Sequence, residues 1–309
     1  MFHSLVSQIV LATAILFPVL SRAESAPIQH RFLAIDESRG QVEYVDQTNL
    51  AKNWTIKTGK CRDYQLIGSN RLMLSLGEGY VEYDLATKQI VKENKKFSGV
   101  TFARRRANGT TILGGGSGKG TVLHELDAED KVLRTATVPF GNLRLGRLTP
   151  QGTVLLGADG KLVEAGLDGA VIHEFVVPGA HHLYQALRRK DGHLLVASGY
   201  GASLLELDVD GKVLNTFGGT KAEEAKELGY HFFAGFQVLK NGDVVVSNWT
   251  GHGANDSTKG TQLVQFDSTG KVIWKWHDPT LAGSLHGVII LDDLDTNILN
   301  DDITSVLGP

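Results

Sequence analysis

The chain has 309 residues, a formal net charge of -3, 42% hydrophobic residues and a single cysteine. Interspersed charge of this size excludes recognition of nucleic acid through bulk charge, and one cysteine excludes a disulfide framework. A chain this long buries enough apolar area without such staples, so Cys61 reads as a buried thiol.

Residues 5–20 form a nearly continuous apolar run, and Ser21 and Ala23 place small residues where a signal peptidase reads them. The expected element is a signal peptide over residues 1–23, although no Lys or Arg precedes the run. The run is short for a bilayer span, and no later stretch is long enough for one. The mature chain is then expected as one domain over residues 28–309, secreted or periplasmic, with no stable membrane span.

The remainder repeats one phrase: Gly-x-x-Leu-x-x-[Leu/Phe]-Asp-x-x-[Gly/Asp]-Lys-Val-[Leu/Ile]. It stands at residues 120–133, 201–214 and 260–273, with looser copies at 40–54, 79–91 and 160–172. The turns centre on Asp46, Asp84, Asp127, Gly166, Asp208 and Asp267. A period of about 40 residues built from short strands is the signature of a β-propeller blade, so the chain reads as six blades.

In chain order, the first repeat opens at His30 with a strand that matches a second strand, not a first. Its inner strand is expected from residues 285–291, so that both termini close the first blade and no sheet edge is left open. Tight turns follow at Ser69-Asn70, Asn108-Gly109, Gln151-Gly152, Asp191-Gly192 and Asn241-Gly242, each between apolar runs, the pattern of a hairpin. The fifth repeat displays the whole grammar: strands at 183–188, 193–198, 203–207 and 212–217. Residues 220–228 carry the one plausible short helix. Trp274 and Trp276, at period two on an outer strand, are expected to face one layer between blades.

In a propeller the inner strands start at one mouth of the central channel, and the loops between second and third strands return to it. The residues converging there are Arg62, Asp63, Thr101, Asn142, Arg144, His181, His182, Tyr184, His231 and His286, with Glu78, Asp159, Tyr200 and residues 248–256 from the loops. The candidate ligand contacts are Asp63, Arg144, His182, Tyr184, His231, Asn248, Trp249, His252 and His286. Such convergence is what a small-molecule or carbohydrate site requires; a polar ring holding ordered water is the alternative. His182, His231 and His286 come from neighbouring blades, and three neutral imidazoles are a ligand set for a divalent metal. Trp249 either stacks on a sugar or aromatic ligand or packs between blades five and six. His252, between glycines, reads as a ligand contact or a mobile loop residue.

Other motifs read as structural. Arg104, Arg105 and Arg106 cannot all face one way along a strand, which favours a mixture of paired and solvated groups. Residues 114–120 are glycine-rich but lack the spacing and the following helix of a phosphate-binding loop. Asp292-Asp293 and Asp301-Asp302 are adjacent in sequence and preset no acid/base geometry. No Gly-x-Ser-x-Gly or His-Glu-x-x-His motif is present.

The Asp208–Leu214 and Asp267–Trp274 copies, with residues 235–249, resemble the blade repeats of exported bacterial propellers of the quinoprotein-like and arylsulfotransferase-like group. That resemblance implies the fold over the whole mature chain. Quinoprotein repeats carry one more residue after the Asp and a Trp after nearly every copy; here only Trp274 fits, so a PQQ cofactor is not implied. Arylsulfotransferases use a channel-facing His with His, Arg and Asn support, for which His182, His231, His286, Arg144 and Asn248 are residues of suitable type. Three functions follow as expectations: a binding protein for a small molecule or carbohydrate at the channel face, a His-based lyase or group transferase on that face, or a scaffold for a protein partner.

Overall fold

The structure is a computed structural model and describes residues 26–302 apart from positions 117 and 119. The expected signal peptide, residues 1–23, lies outside the described residues. Among these residues the strands form six antiparallel four-stranded sheets. Blade one holds β1 (Arg31–Asp36), β2 (Gln41–Asp46) and β3 (Trp54–Lys57). Blade two holds β4 (Tyr64–Leu66), β5 (Arg71–Leu76), β6 (Gly79–Asp84) and β7 (Ile90–Asn94). Blade three holds β8 (Val100–Arg105), β9 (Thr111–Gly115), β10 (Thr121–Leu126) and β11 (Val132–Val138). Blade four holds β12 (Gly146–Leu148), β13 (Val154–Ala158), β14 (Lys161–Ala165) and β15 (Val171–Val176). Blade five holds β16 (Gln185–Arg188), β17 (Leu194–Ala197), β18 (Ser203–Leu207) and β19 (Val213–Gly218). A short helix, α1 (Ala225–Leu228), precedes blade six, which holds β20 (Phe232–Val238), β21 (Val244–Trp249), β22 (Leu263–Phe266) and β23 (Val272–Trp276).

The chain then returns to blade one. The last strand, β24 (Leu285–Ile290), pairs antiparallel with β1 in a register running from Phe32 opposite Ile290 to Asp36 opposite Leu285. Every residue of β24 is buried. Closure therefore satisfies the inner edge of the first sheet and supplies its apolar face together. Trp274 and Trp276 pack edge-on against Phe32, with ring centroids 6.1 and 5.2 Å away, in the layer between blades six and one.

The repeated phrase has a local cause. Asp208 Oδ1 accepts from the backbone N–H of Asp210 at 3.0 Å and of Lys212 at 2.8 Å. Asp267 does the same for Thr269 and Lys271, and Asp127 for Glu129 and Lys131. A short carboxylate thus ties the third strand to the outer one. Gly211 and Gly270, each at φ +86°, supply the left-handed residue of that turn; Asp130 takes this place in blade three at φ +66°.

Past β24 the chain crosses the far end of the channel. Ile67 bridges to Leu299, and Asn300 N–H donates to the Leu66 carbonyl at 2.9 Å. Asp302 is clamped by Nε and Nη2 of Arg104 and accepts from Leu148 N–H at 2.9 Å. Arg147 Nη1 lies 2.9 Å from Asp63 Oδ1, so two guanidiniums and two carboxylates share the buried channel floor. Asp302 is therefore structural, a role that adjacency to Asp301 in sequence did not reveal. The other two arginines are paired as well, Arg105 with Glu82 and Arg106 with Glu125, so the three face different partners as expected but none of them is left to solvent alone. A cavity of about 710 Å³ opens at this end, lined among others by His30, Gln185, Phe236 and Asp292. Its polar groups largely answer one another: His30, for example, bonds Asp292 at 2.6 Å and Gln265 at 2.7 Å.

Candidate functional site at the channel mouth

The opposite mouth is built from the starts of the inner strands and the loops that return beside them. His286, on β24, lies 5.3 Å from the Tyr184 ring and 5.7 Å from the Trp249 ring, the latter at 29° between planes. It is not the solvated rim residue that its position suggests, because it is only 5% exposed. Burial drives its pKa down to about 3; Glu37 opposes this and Arg62 adds to it. At neutral pH the ring is uncharged, and its Nδ1 is buried with no hydrogen-bond partner.

Trp249 ends β21, so it belongs to a strand and not to the loop expected from sequence. It is buried in the apolar cluster that blades five and six share, with the Phe232 ring 5.5 Å away, and its Nε1–H reaches across to blade one, donating to Glu37 Oε2 at 3.3 Å. His252 Nδ1 lies 3.0 Å from the same oxygen, and Lys60 Nζ is 3.5 Å from Glu37 Oε1. Burial pushes the Glu37 carboxyl up, but the neighbouring imidazoles and the bonds from His252 and Trp249 outweigh it and hold the pKa below the usual range. The His252 ring itself remains largely exposed. Glu37 was missed in the sequence, although it sits in the loop after β1, the same class of loop that supplies Asp159 and Tyr200.

On the far side, Arg144 Nη2 donates to His182 Nδ1 at 2.5 Å. Burial and the adjacent guanidinium lower the pKa of His182, so the ring is neutral and Nδ1 accepts. The 3.1 Å approach of Asp159 Oδ1 to the same nitrogen is then a close contact, not an ion pair. His182 adopts φ +58°, which breaks the extended chain and lets the His181 and His182 rings lie 4.6 Å apart. Tyr200, half-exposed in a loop between Gly199 and Gly201, contacts the rings of His181, His182, His231 and Phe232.

The structure thus gathers His286, Trp249, Tyr184, His231 and His252 into one aromatic wall, with Tyr200 linking it to His182 and Arg144. It does not bring His182, His231 and His286 to a common point. His231 Nδ1 sits 3.1 Å from the Trp249 carbonyl, and among the described residues no group of three or more His, Cys, Asp or Glu is placed to hold a metal ion. Asn248 is fully engaged inside blade six: Oδ1 accepts from the His231 and Phe232 amides, and Nδ2 donates to the Gly229 and Thr261 carbonyls. Asp63 is fully buried in the channel floor. Both were expected as ligand contacts, and both are occupied by the protein itself. Cys61 is buried as expected, its thiol pushed up to about 12 by burial and by surrounding carboxylates.

Fold and topology define the class: an all-β six-bladed propeller. No family model and no curated protein matches the chain. Among solved structures it is similar to a protein of unknown function from Bacteroides caccae, at TM-score 0.70 and 18% identity over 85% of this chain and 98% of that one. It is also similar to the WD40 β-propeller domain of Doa1, at TM-score 0.57 and 14% identity over 85% and 86% of the two chains. Streptogramin B lyase aligns at TM-score 0.55 and 11% identity over 84% and 86%. At such identities the shared property is the fold.

Proposed function

We propose that this chain is an exported propeller that binds a small molecule bearing a hydroxylated or aromatic ring at the channel mouth. The observation that carries this reading is the unpartnered Nδ1 of His286, buried between Trp249 and Tyr184. A buried polar atom without a partner costs about 1–3 kcal/mol, and a ligand hydroxyl removes that cost in either tautomer, because it both donates and accepts. Tyr200, half-exposed at the same mouth, offers a face on which a ring stacks. Calorimetric titration with neutral sugars, uronates, aryl sulfates and quinones tests the reading. At least one class is expected to bind, and His286→Gln and Tyr200→Ala to weaken it. Absence of binding across the whole panel, or binding indifferent to both substitutions, refutes it.

A second reading is favoured by one pair. Glu37 holds Nδ1 of His252 and leaves the other ring nitrogen toward solvent, the arrangement of an oriented general base. On this reading the mouth carries out a lyase or transfer reaction on the bound ring. Turnover of a bound panel compound that disappears in His252→Ala and falls in Glu37→Gln would establish it; binding without any turnover would leave the first reading.

A further inference from the structure

We infer that the channel mouth binds an oxyanion, a carboxylate, sulfate or phosphate group carried by the ligand, between Arg62 and Arg144. The inference deepens the binding reading above and rests on it for the rest of the ligand. Arg62 stands just before β4 and Arg144 just before β12, at the same end of the channel. The Arg62 guanidinium has no hydrogen-bond or ion-pair partner among the described residues. Arg144 gives one Nη to His182, but its Nε is buried and also lacks a partner. The two arginines are close enough that the charge of one disfavours the charge of the other, on top of the loss of solvent.

Elsewhere in the molecule, buried or half-buried guanidiniums are answered. Arg104 and Arg147 face Asp63 and Asp302, Arg105 faces Glu82, and Arg188 faces Glu164. The mouth departs from that rule. Of the carboxylates there, Glu37 is committed to Trp249, His252 and Lys60, and the exposed Asp159, bonded to Asn142 at 3.2 Å and touching His182, offsets part of the charge of Arg144 without outweighing burial and Arg62. Two like charges held together with donors to spare are relieved by an oxyanion, which accepts several charge-assisted hydrogen bonds at once. The Tyr184 hydroxyl donates to the Arg62 carbonyl at 3.3 Å, fixing the backbone that carries this arginine against the ring wall of the site. The anionic group and the ring of one ligand are thereby served by adjacent parts of the same mouth.

The test uses the mature chain with sodium sulfate, phosphate and acetate, each balanced with chloride to constant ionic strength, read by thermal melting and calorimetry. At least one oxyanion is expected to raise the melting temperature saturably over chloride. Arg62→Met and Arg144→Met are each expected to weaken that binding about tenfold, since a charge-assisted bond is worth roughly that factor. Arg62→Lys is expected to restore part of it, and Arg134→Met, on the outer strand of blade three, to leave it unchanged. Should Arg144→Met fail to fold, Arg62→Met alone decides, because the Arg62 guanidinium has no partner to lose and its backbone bond from Tyr184 survives the substitution. A saturable shift that survives Arg62→Met, or no oxyanion effect beyond chloride, overturns the inference. Glucuronate against glucose separates the two readings. Equal binding of both sugars removes the arginine pair and keeps the ring site; an oxyanion effect with no ring compound bound removes the ring site and keeps the pair.

Discussion

Asp302→Ala tests how the channel floor is held. The Asp302 side chain is 3% exposed and accepts from Arg104 Nε at 3.0 Å, from Arg104 Nη2 and from Leu148 N–H. Arg104 and Arg147 are 7% and 4% exposed, and their other carboxylate is Asp63. Removing Asp302 leaves two buried guanidiniums on one carboxylate and strands the Leu148 amide. Breaking such a buried pair from one side costs about 3–5 kcal/mol, a large share of the roughly 5–15 kcal/mol that separates folded from unfolded states. With an m-value of about 3 kcal/mol/M, the urea midpoint falls by about 1–1.7 M at unchanged slope. Tryptophan fluorescence during urea unfolding measures this. The double change Arg104→Met with Asp302→Leu should recover part of the loss, because a packed apolar pair replaces the ion pair without an uncompensated charge. A loss below about 1 kcal/mol for Asp302→Ala would mean that the segment after β24 is not docked on Arg104, and the reasoning would fail.

Four further outcomes are expected. Glu43 is fully buried beside Asp36, which with desolvation raises its pKa to about 8. The folded state therefore keeps a proton that the unfolded chain releases near 4.5, and stability falls as pH rises from about 4.5 to 8. Glu43→Gln should abolish that slope in melting curves and be the more stable protein at pH 8; an unchanged slope would refute the assignment. His286 works in the other direction: its pKa falls from 6.5 to about 3, so its contribution is present above 6.5 and is lost as pH drops toward 3. His286→Gln should flatten the acid side of the stability profile, and a profile as steep as that of wild type would contradict the buried neutral ring. Leu285→Ala, which empties a fully buried position on the closing strand, should cost about 2–5 kcal/mol. Removal of the chain from Gly283 onward should abolish cooperative unfolding altogether; a truncated protein that melts like the full chain would break the closure account.

The architecture was legible because its determinants are local. An Asp that caps its own turn, a left-handed residue and alternating apolar strands recur in most repeats, and the first repeat visibly lacks an inner strand. Site contacts depend instead on groups brought together from different blades. Asn248 and Asp63 have the composition of ligand contacts, yet their partners come from Gly229, Thr261, Arg104 and Arg147, which no spacing announces. Glu37 was overlooked because the loop carrying it belongs to the incomplete first blade. Its importance comes from Trp249 and His252, more than two hundred residues away in the chain. The burial of His286 follows from closure: the strand that completes the ring carries it inward between Tyr184 and Trp249. Asp302 reads only as one of two adjacent acids without preset acid/base geometry until the final segment is seen folded under the channel.

The most direct test of the central claim is a tryptophan fluorescence titration of the wild-type chain with each ring compound of the panel, repeated in Trp249→Phe. Trp249 is the indole stacked near His286, whereas Trp54, Trp274 and Trp276 lie on the outer strands of blades one and six. The account predicts a saturable change in emission that Trp249→Phe abolishes and that His286→Gln moves to higher ligand concentration. A ligand whose binding leaves the emission of Trp249 untouched, or whose affinity ignores His286, would place the functional site elsewhere on the propeller.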